Sequence, residues 1–355
     1  MEALVSELPA FVLAYNHYFI GPSTIGSHFL TNNLYSAGSN ASSRPMMSKL
    51  ATLSRSRVFA VNYRLCPLSP FPAQIVDVLL GYLYLLYPPP GSLHAPIPAS
   101  KIAFVGDSFG AVLFLALTKV ILTLRSHKSH LSRGLTILFQ GQNVSLPLPT
   151  CLALISPYSY TPDTFPSWET NTIYDWFPVI QYPIIANPSL KSCELWPTKP
   201  LRGDLYCNIS MLGHPLICLA ANHSWEGCPP VYMASGQERC IDGARVIATQ
   251  MIKDGVTVCW EEYEAMPHVF MSFLPQWKQG NMCYERWVAF VRKCLEGREL
   301  STEGFMIGCE DLKVREGDVR TLTEFTPEYA RRIIEIRKKE RIEWLETFRR
   351  AKSLL

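Results

Sequence analysis

One five-residue run constrains this chain more than any other: Gly106-Asp107-Ser108-Phe109-Gly110. It lies between a short apolar segment, Ile102 to Val105, and a long one, Ala111 to Leu124. The first has the length of a buried strand and the second that of a helix. A serine between them stands on a tight strand-to-helix turn, and the glycines leave room for its unusual backbone. Such a turn pushes the hydroxyl out over the end of a sheet. The amides that follow point at it from a helix N-terminus, where they can hold a developing oxyanion. The pattern marks Ser108 as candidate nucleophile and Phe109 as the residue whose amide faces the oxyanion. Gly106, Asp107 and Gly110 frame the turn.

The surrounding pattern is that of an α/β protein, with short apolar strands alternating with longer amphipathic segments. Phe11 to Tyr15, Val58 to Tyr63, Ile102 to Val105, Cys151 to Ile155, Pro230 to Ala234 and Val256 to Tyr263 read as strands. Ile75 to Leu86, Ala111 to Leu124, Asp242 to Lys253 and Asn281 to Leu295 read as helices. Residues 1–300 are expected to form one domain. Within it, residues 158–227 lose the alternation and are dense in aromatics and prolines, among them Tyr158, Phe165, Trp168, Trp176 and Tyr206. So long a structureless stretch does not belong in a compact domain. It reads as a cap over a site, with an irregular structural lobe as the alternative.

A nucleophilic serine needs a base. Of the 8 histidines, His214, His223 and His268 lie beyond residue 200, and only His268 follows an apolar strand by a short loop. A triad in this setting runs nucleophile, acid, histidine, so the acid belongs after Pro230 to Ala234. Glu238 comes first there and could orient the histidine tautomer. Asp242, at a helix start where it would cap well, is the alternative acid.

Composition narrows the classes. Hydrophobic residues make up 48% and charged residues 18%, which excludes wholesale disorder. The 33 Lys and Arg against 30 Asp and Glu give a net +3, too little to suggest a nucleic-acid partner. No apolar run reaches the ~20 residues of a spanning helix. No basic-then-apolar leader opens the chain, so the reading is cytoplasmic. The 11 cysteines include no Cys-x-x-Cys pair and read as reduced thiols, not as a disulfide scaffold or zinc site. Residues 301–355 read as a charged helical extension in which Pro327 suits a helix start. Ile333, Ile336, Ile342, Leu345 and Phe348 form an uneven apolar stripe there. The helix either packs on its own domain or, through residues 327–355, touches an anionic membrane surface or a partner.

These motifs resemble the hormone-sensitive-lipase-like esterases, the branch of the α/β-hydrolase fold that includes arylacetamide deacetylase. Gly106-Asp107-Ser108-Phe109-Gly110 is similar to that family's G-D-S-A-G. Asn62-Tyr63-Arg64-Leu65-Cys66-Pro67 with Pro70-Phe71-Pro72-Ala73 is similar to its D-Y-R-L-A-P-E-x-P-F-P-A, and Met266-Pro267-His268-Val269-Phe270 resembles its histidine loop. Trp196 to Tyr206 looks like a stretch of fungal members. The resemblance implies a mostly parallel central sheet flanked by helices, with the cap inserted. It implies hydrolysis of small apolar esters through an acyl-enzyme, without metal or organic cofactor. Ser108, Glu238 and His268 would be nucleophile, acid and base. Tyr63 and Arg64 would tie the sheet to the loop under the nucleophile, and a homodimer is implied through an edge strand or the C-terminal helix.

Three departures accompany the resemblance. The family's H-G-G-G loop is Tyr15-Asn16-His17-Tyr18-Phe19-Ile20-Gly21 here, so His17 is in place but its glycines are not. The second oxyanion donor would come from an amide near Tyr18. Few residues precede the first strand, where the family has two strands and cap helices, so an open sheet edge is expected. Phe109 stands where the family has alanine, which adds bulk beside the nucleophile. Together these favour, as the alternative function, a catalytically impaired homologue or apolar-ligand binder.

Overall fold

The computed structural model describes residues 11–15, 40–128, 135–159, 164–176, 194 and 202–353. The first elements are β1 (Phe11–Tyr15), α1 (Asn40–Ser54), β2 (Arg57–Ala60), α2 (Ala73–Leu86), β3 (Ile102–Asp107) and α3 (Phe109–Lys128). A hairpin of β4 (Thr136–Phe139) and β5 (Gln142–Ser145) precedes β6 (Cys151–Ile155) and the one-turn α4 (Ser167–Thr170). Then come β7 (Val231–Gly236), α5 (Ile241–Lys253), β8 (Val258–Tyr263), α6 (Phe270–Phe273) and α7 (Lys278–Leu295). The chain continues through β9 (Glu303–Ile307), β10 (Val314–Glu316) and α8 (Pro327–Ser353).

Among the described residues, eight strands form one sheet in the order β10-β9-β8-β7-β6-β3-β1-β2. Only β10 runs antiparallel to its neighbour. Parallel strands need crossovers, and helices on both faces bury them completely. Alternation sorts the side chains. Phe104, Leu152, Leu154 and Met233 join one core with α2, α3 and α5. Ala103, Val105, Ala153, Tyr232 and Ala234, one residue out of step, join a second core with α1 and α7. The small alanines on that second face leave room for the large residues of α7, Tyr284, Trp287 and Phe290.

Several boundaries differ from the sequence reading. The expected strand from Val58 to Tyr63 leaves the sheet after Ala60, and Val61 and Tyr63 turn into the core. α3 starts directly after Ser108. Its stretch Phe109–Ser126 has a mean hydropathy of 1.7, so one helix does have the length and composition of a membrane span. It serves as a core helix, with Val112 to Leu117 fully buried. α1 carries Pro45 and only a weak apolar stripe, Met46, Met47 and Leu50, so periodicity did not reveal it. The β4–β5 hairpin turns through Gln140 and Gly141, both at positive φ (49° and 77°), without the Asn-Gly signature of that turn.

The extension beyond residue 300 is not purely helical, since it adds β9 and β10 to the sheet before α8. α8 packs on its own chain. Ala330, Ile334 and Leu345 are buried, and Tyr329 stacks with Phe165 of the cap at 5.9 Å. Arg341 approaches Asp204 at 3.9 Å, both largely buried. The cap divides as well. Leu205, Tyr206, Leu212, Ile217 and Trp225 belong to the first core, as do Phe165 and Trp168, while Ser167, Asn171 and Asp175 of the same segment reach the loops that carry Glu238 and His268. At the opposite edge, β2 ends the sheet among the described residues.

Candidate active site

The strands β3 and β6 end level, Asp107 facing Ile155, and Ile155 faces Ala234; β7 and β8 run two residues further, to Gly236 facing Tyr263. The loops leaving these four carboxyl ends therefore meet over one crevice, where ligands bind in open α/β sheets. Each loop delivers one polar side chain: Ser108, Ser156, Glu238 and His268.

Ser108 takes φ of +50°, the left-handed region that costs a non-glycine residue energy. Its amide donates to the Ile155 carbonyl at 2.9 Å, which pins the turn to the end of β6. The turn is so tight that a Cβ on Gly106 would lie 2.8 Å from the Gly110 carbonyl carbon. That contact explains the first glycine of the motif. Phe109 opens α3, so its amide stands at the helix N-terminus, directly after Ser108. Its ring does not crowd the nucleophile. It is buried and packs edge-on against Tyr63 at 5.9 Å and Tyr206 at 5.1 Å.

Ser108 Oγ lies 2.8 Å from His268 Nε2, and His268 Nδ1 lies 3.1 Å from Glu238 Oε2. The carboxylate faces Nδ1, so the proton belongs there and Nε2 is left to accept from the serine. Glu238 Oε2 also accepts from Ser156 Oγ at 2.8 Å, and Ser156 Oγ accepts from the Val269 amide at 3.0 Å. All of Ser108, Ser156, Glu238 and His268 are buried. Burial pushes the Glu238 carboxyl up against the opposing pull of His268. Burial lowers the His268 imidazole, but Glu238, Asp175 and Asp107 outweigh it and the net shift is upward.

The alternative acid is set aside by its contacts. Asp242 sits in the first turn of α5, where Oδ2 accepts from the Ser167 amide at 3.0 Å and Oδ1 pairs with Arg245 at 3.0 Å. His17 and Tyr18, the expected second oxyanion donor, lie outside the described residues, as does most of Trp196 to Tyr206. The structure separates Tyr63 from Arg64. Tyr63 supports Phe109, but Arg64 is exposed and forms a bidentate pair with Asp77 of α2 instead. Among the described residues, no cluster of three His, Cys, Asp or Glu side chains could hold a metal ion.

Three site residues escaped the sequence reading. Ser156 had a usable signal, since it ends an apolar strand as the other site residues do. Gly236 ends β7, where a Cβ would overlap the Met266 carbonyl in the histidine loop. Asp175 of the cap accepts from the amides of Arg239 at 2.8 Å and His268 at 3.1 Å, and nothing in its sequence neighbourhood announces it.

Comparison with known proteins agrees with this architecture. A family model described as alpha/beta hydrolase fold matches residues 34–272. An acetyl-hydrolase of Streptomyces hygroscopicus is 26% identical over 268 residues, 74% of this chain and 74% of that protein. A solved esterase/lipase from an uncultured bacterium is similar with a TM-score of 0.57 at 21% identity, over 82% of this chain and 78% of that one. An esterase of the bacterial hormone-sensitive lipase family gives a TM-score of 0.55 at 26% identity, over 80% and 76%. With more than half of its length matched by the family model, this chain belongs to the α/β-hydrolase fold family, alongside the hormone-sensitive-lipase-like esterases.

Proposed function

We propose that this protein is a serine carboxylic-ester hydrolase in which Ser108 is the nucleophile, His268 the general base and Glu238 the acid that holds it. The observation that carries the reading is the hydrogen-bond line from Ser108 Oγ through the imidazole to Glu238 Oε2, at 2.8 and 3.1 Å. As Ser108 Oγ attacks the ester carbonyl carbon, its proton passes to His268 Nε2. The carbonyl oxygen takes up the negative charge, and the Phe109 amide donates to it. His268 then gives its proton to the departing alcohol, and the acyl group stays on Ser108. Water repeats the sequence, with His268 again taking the proton, and releases the carboxylic acid. Glu238 stabilises the imidazolium at each stage and keeps the ring in one tautomer.

Apolar surroundings support a small, uncharged ester as substrate. Tyr158 stands edge-on to the His268 ring at 6.3 Å, and Trp176 stands edge-on to Phe273 at 5.0 Å. The acetyl-hydrolase relative points the same way, to short acyl groups. Hydrolysis of p-nitrophenyl acetate, butyrate and octanoate is the test, with Ser108→Ala beside the wild type. Ser108-dependent turnover that declines toward octanoate is expected. Equal rates for the two folded proteins would refute the assignment.

A further inference from the structure

Asp175 lies in the cap segment after α4, far along the chain from both loops that it touches. Its Oδ2 accepts from the Arg239 amide at 2.8 Å and its Oδ1 from the His268 amide at 3.1 Å. Arg239 follows Glu238 directly, so a single carboxylate bridges the peptide beside the acid and the peptide of the base itself. Its neighbours hold the same acid loop. Asn171 Nδ2 donates to the Glu238 carbonyl at 3.1 Å, and Ser167 Oγ donates to the Arg239 carbonyl at 2.8 Å. The Arg239 guanidinium lies 4.1 Å from the centre of the Trp168 ring.

We propose that Asp175 is a positioning residue, a cap carboxylate that sets the spacing between the acid loop and the base loop and so aligns Glu238 with His268. This rests on the reading of His268 as general base. Two N–H groups pointing at the two oxygens of one rigid, planar carboxylate fix both donors relative to each other. Asparagine offers one acceptor and turns an NH2 toward the other amide, so it cannot bridge. The cap thereby contributes to catalysis without touching the ester. Asp175 acts on His268 through charge as well as geometry. The groups facing the imidazole are Glu238 from the acid loop, Asp107 beside the nucleophile, Asp175 from the cap, the Ser108 hydroxyl and the Tyr158 ring.

The experiment follows hydrolysis of p-nitrophenyl butyrate against pH for wild type, Ser108→Ala, Asp175→Asn, Asp175→Ala and Asp175→Glu, recording each thermal midpoint. Asp175→Asn and Asp175→Ala are expected to lose on the order of 10–10² in kcat, as a small misplacement of a reacting group does, with KM nearly unchanged. Asp175→Glu, which keeps both oxygens, recovers part of the rate. The acid limb of kcat/KM in Asp175→Asn moves to lower pH, because a negative charge facing the imidazolium is gone. Ser108-dependent turnover with Asp175→Asn equal to wild type would overturn the proposal. A rise in KM alone, or a lost rate tracking a collapsed midpoint with no pH shift, would overturn it too. If wild-type turnover itself does not depend on Ser108, the reading of His268 fails and the proposal falls with it.

Discussion

Gly236, the last residue of β7, lies so close to Met266 that a Cβ on it would overlap the Met266 carbonyl oxygen, and Pro267 stands next to it. The acid loop and the histidine loop therefore meet backbone to backbone. Gly236→Ala must push the histidine loop away from β7. We predict a loss of stability of about 1–3 kcal/mol, as for overpacking a full interior, and a fall in kcat/KM of about 10²-fold. Urea unfolding and steady-state kinetics on the same sample check both.

Glu238 and Asp242 are predicted to separate cleanly. Glu238→Gln removes the charge facing His268 Nδ1 and can present an NH2 there, which favours the wrong tautomer, at a cost of about 10⁴-fold in kcat. Asp242→Asn loses a bond from the Ser167 amide and weakens the pair with Arg245, a matter of about 1–3 kcal/mol of stability. Its kcat should stay within about tenfold of wild type. The opposite ranking of the two rates would reassign the acid.

The pH profile follows from the upward shift of His268. Its conjugate acid cannot accept the serine proton, so kcat/KM rises with pH as the imidazole deprotonates. Glu238, Asp175 and Asp107 hold that step above the ordinary value of 6.5 despite burial. The acid limb should therefore have its midpoint above 6.5. The same shift contributes stability at low pH that fades as pH rises through the folded-state value. A midpoint below 6.5 would show that desolvation wins and that the ion pair is not formed.

α8 is predicted to be part of the fold. Leu345 is buried against Gly203 and Ile209 of the cap, with a Cβ on Gly203 only 3.1 Å from its Cδ2. Leu345→Ala should cost about 2–4 kcal/mol in urea unfolding, the range for a buried leucine. A solvated helix would lose less than about 0.5 kcal/mol.

The fold and the principal residues were legible because parallel strands buried on both faces are written as apolar runs with a loop after each. Ser108, Glu238 and His268 each follow such a run, and His268 was singled out from His214 and His223 because only it follows an apolar strand by a short loop. Glu238 was preferred over Asp242 as the first carboxylate after the strand, and the contacts show what Asp242 does instead, holding the Ser167 amide and Arg245. Phe109 was legible as bulk but not as direction, and its ring turns into the core between Tyr63 and Tyr206. Asp175 and Gly236 were not legible. What each does depends on backbone brought near it by distant parts of the chain, and no local period encodes that. β9 and β10 were missed because both are short: Val314–Glu316 is an exposed edge strand, and Glu303–Ile307 inside it is only partly buried, so neither carries a clean apolar run.

Acylation of Ser108 is the step on which the whole reaction turns. Rapid mixing with p-nitrophenyl acetate, followed by acid quench and mass mapping, detects it. A fast burst of p-nitrophenolate approaching one equivalent per chain is expected, with an acetyl mass on the peptide holding Ser108 and neither signal in Ser108→Ala. Turnover without any acyl adduct on Ser108, or an adduct that persists in Ser108→Ala, would contradict it.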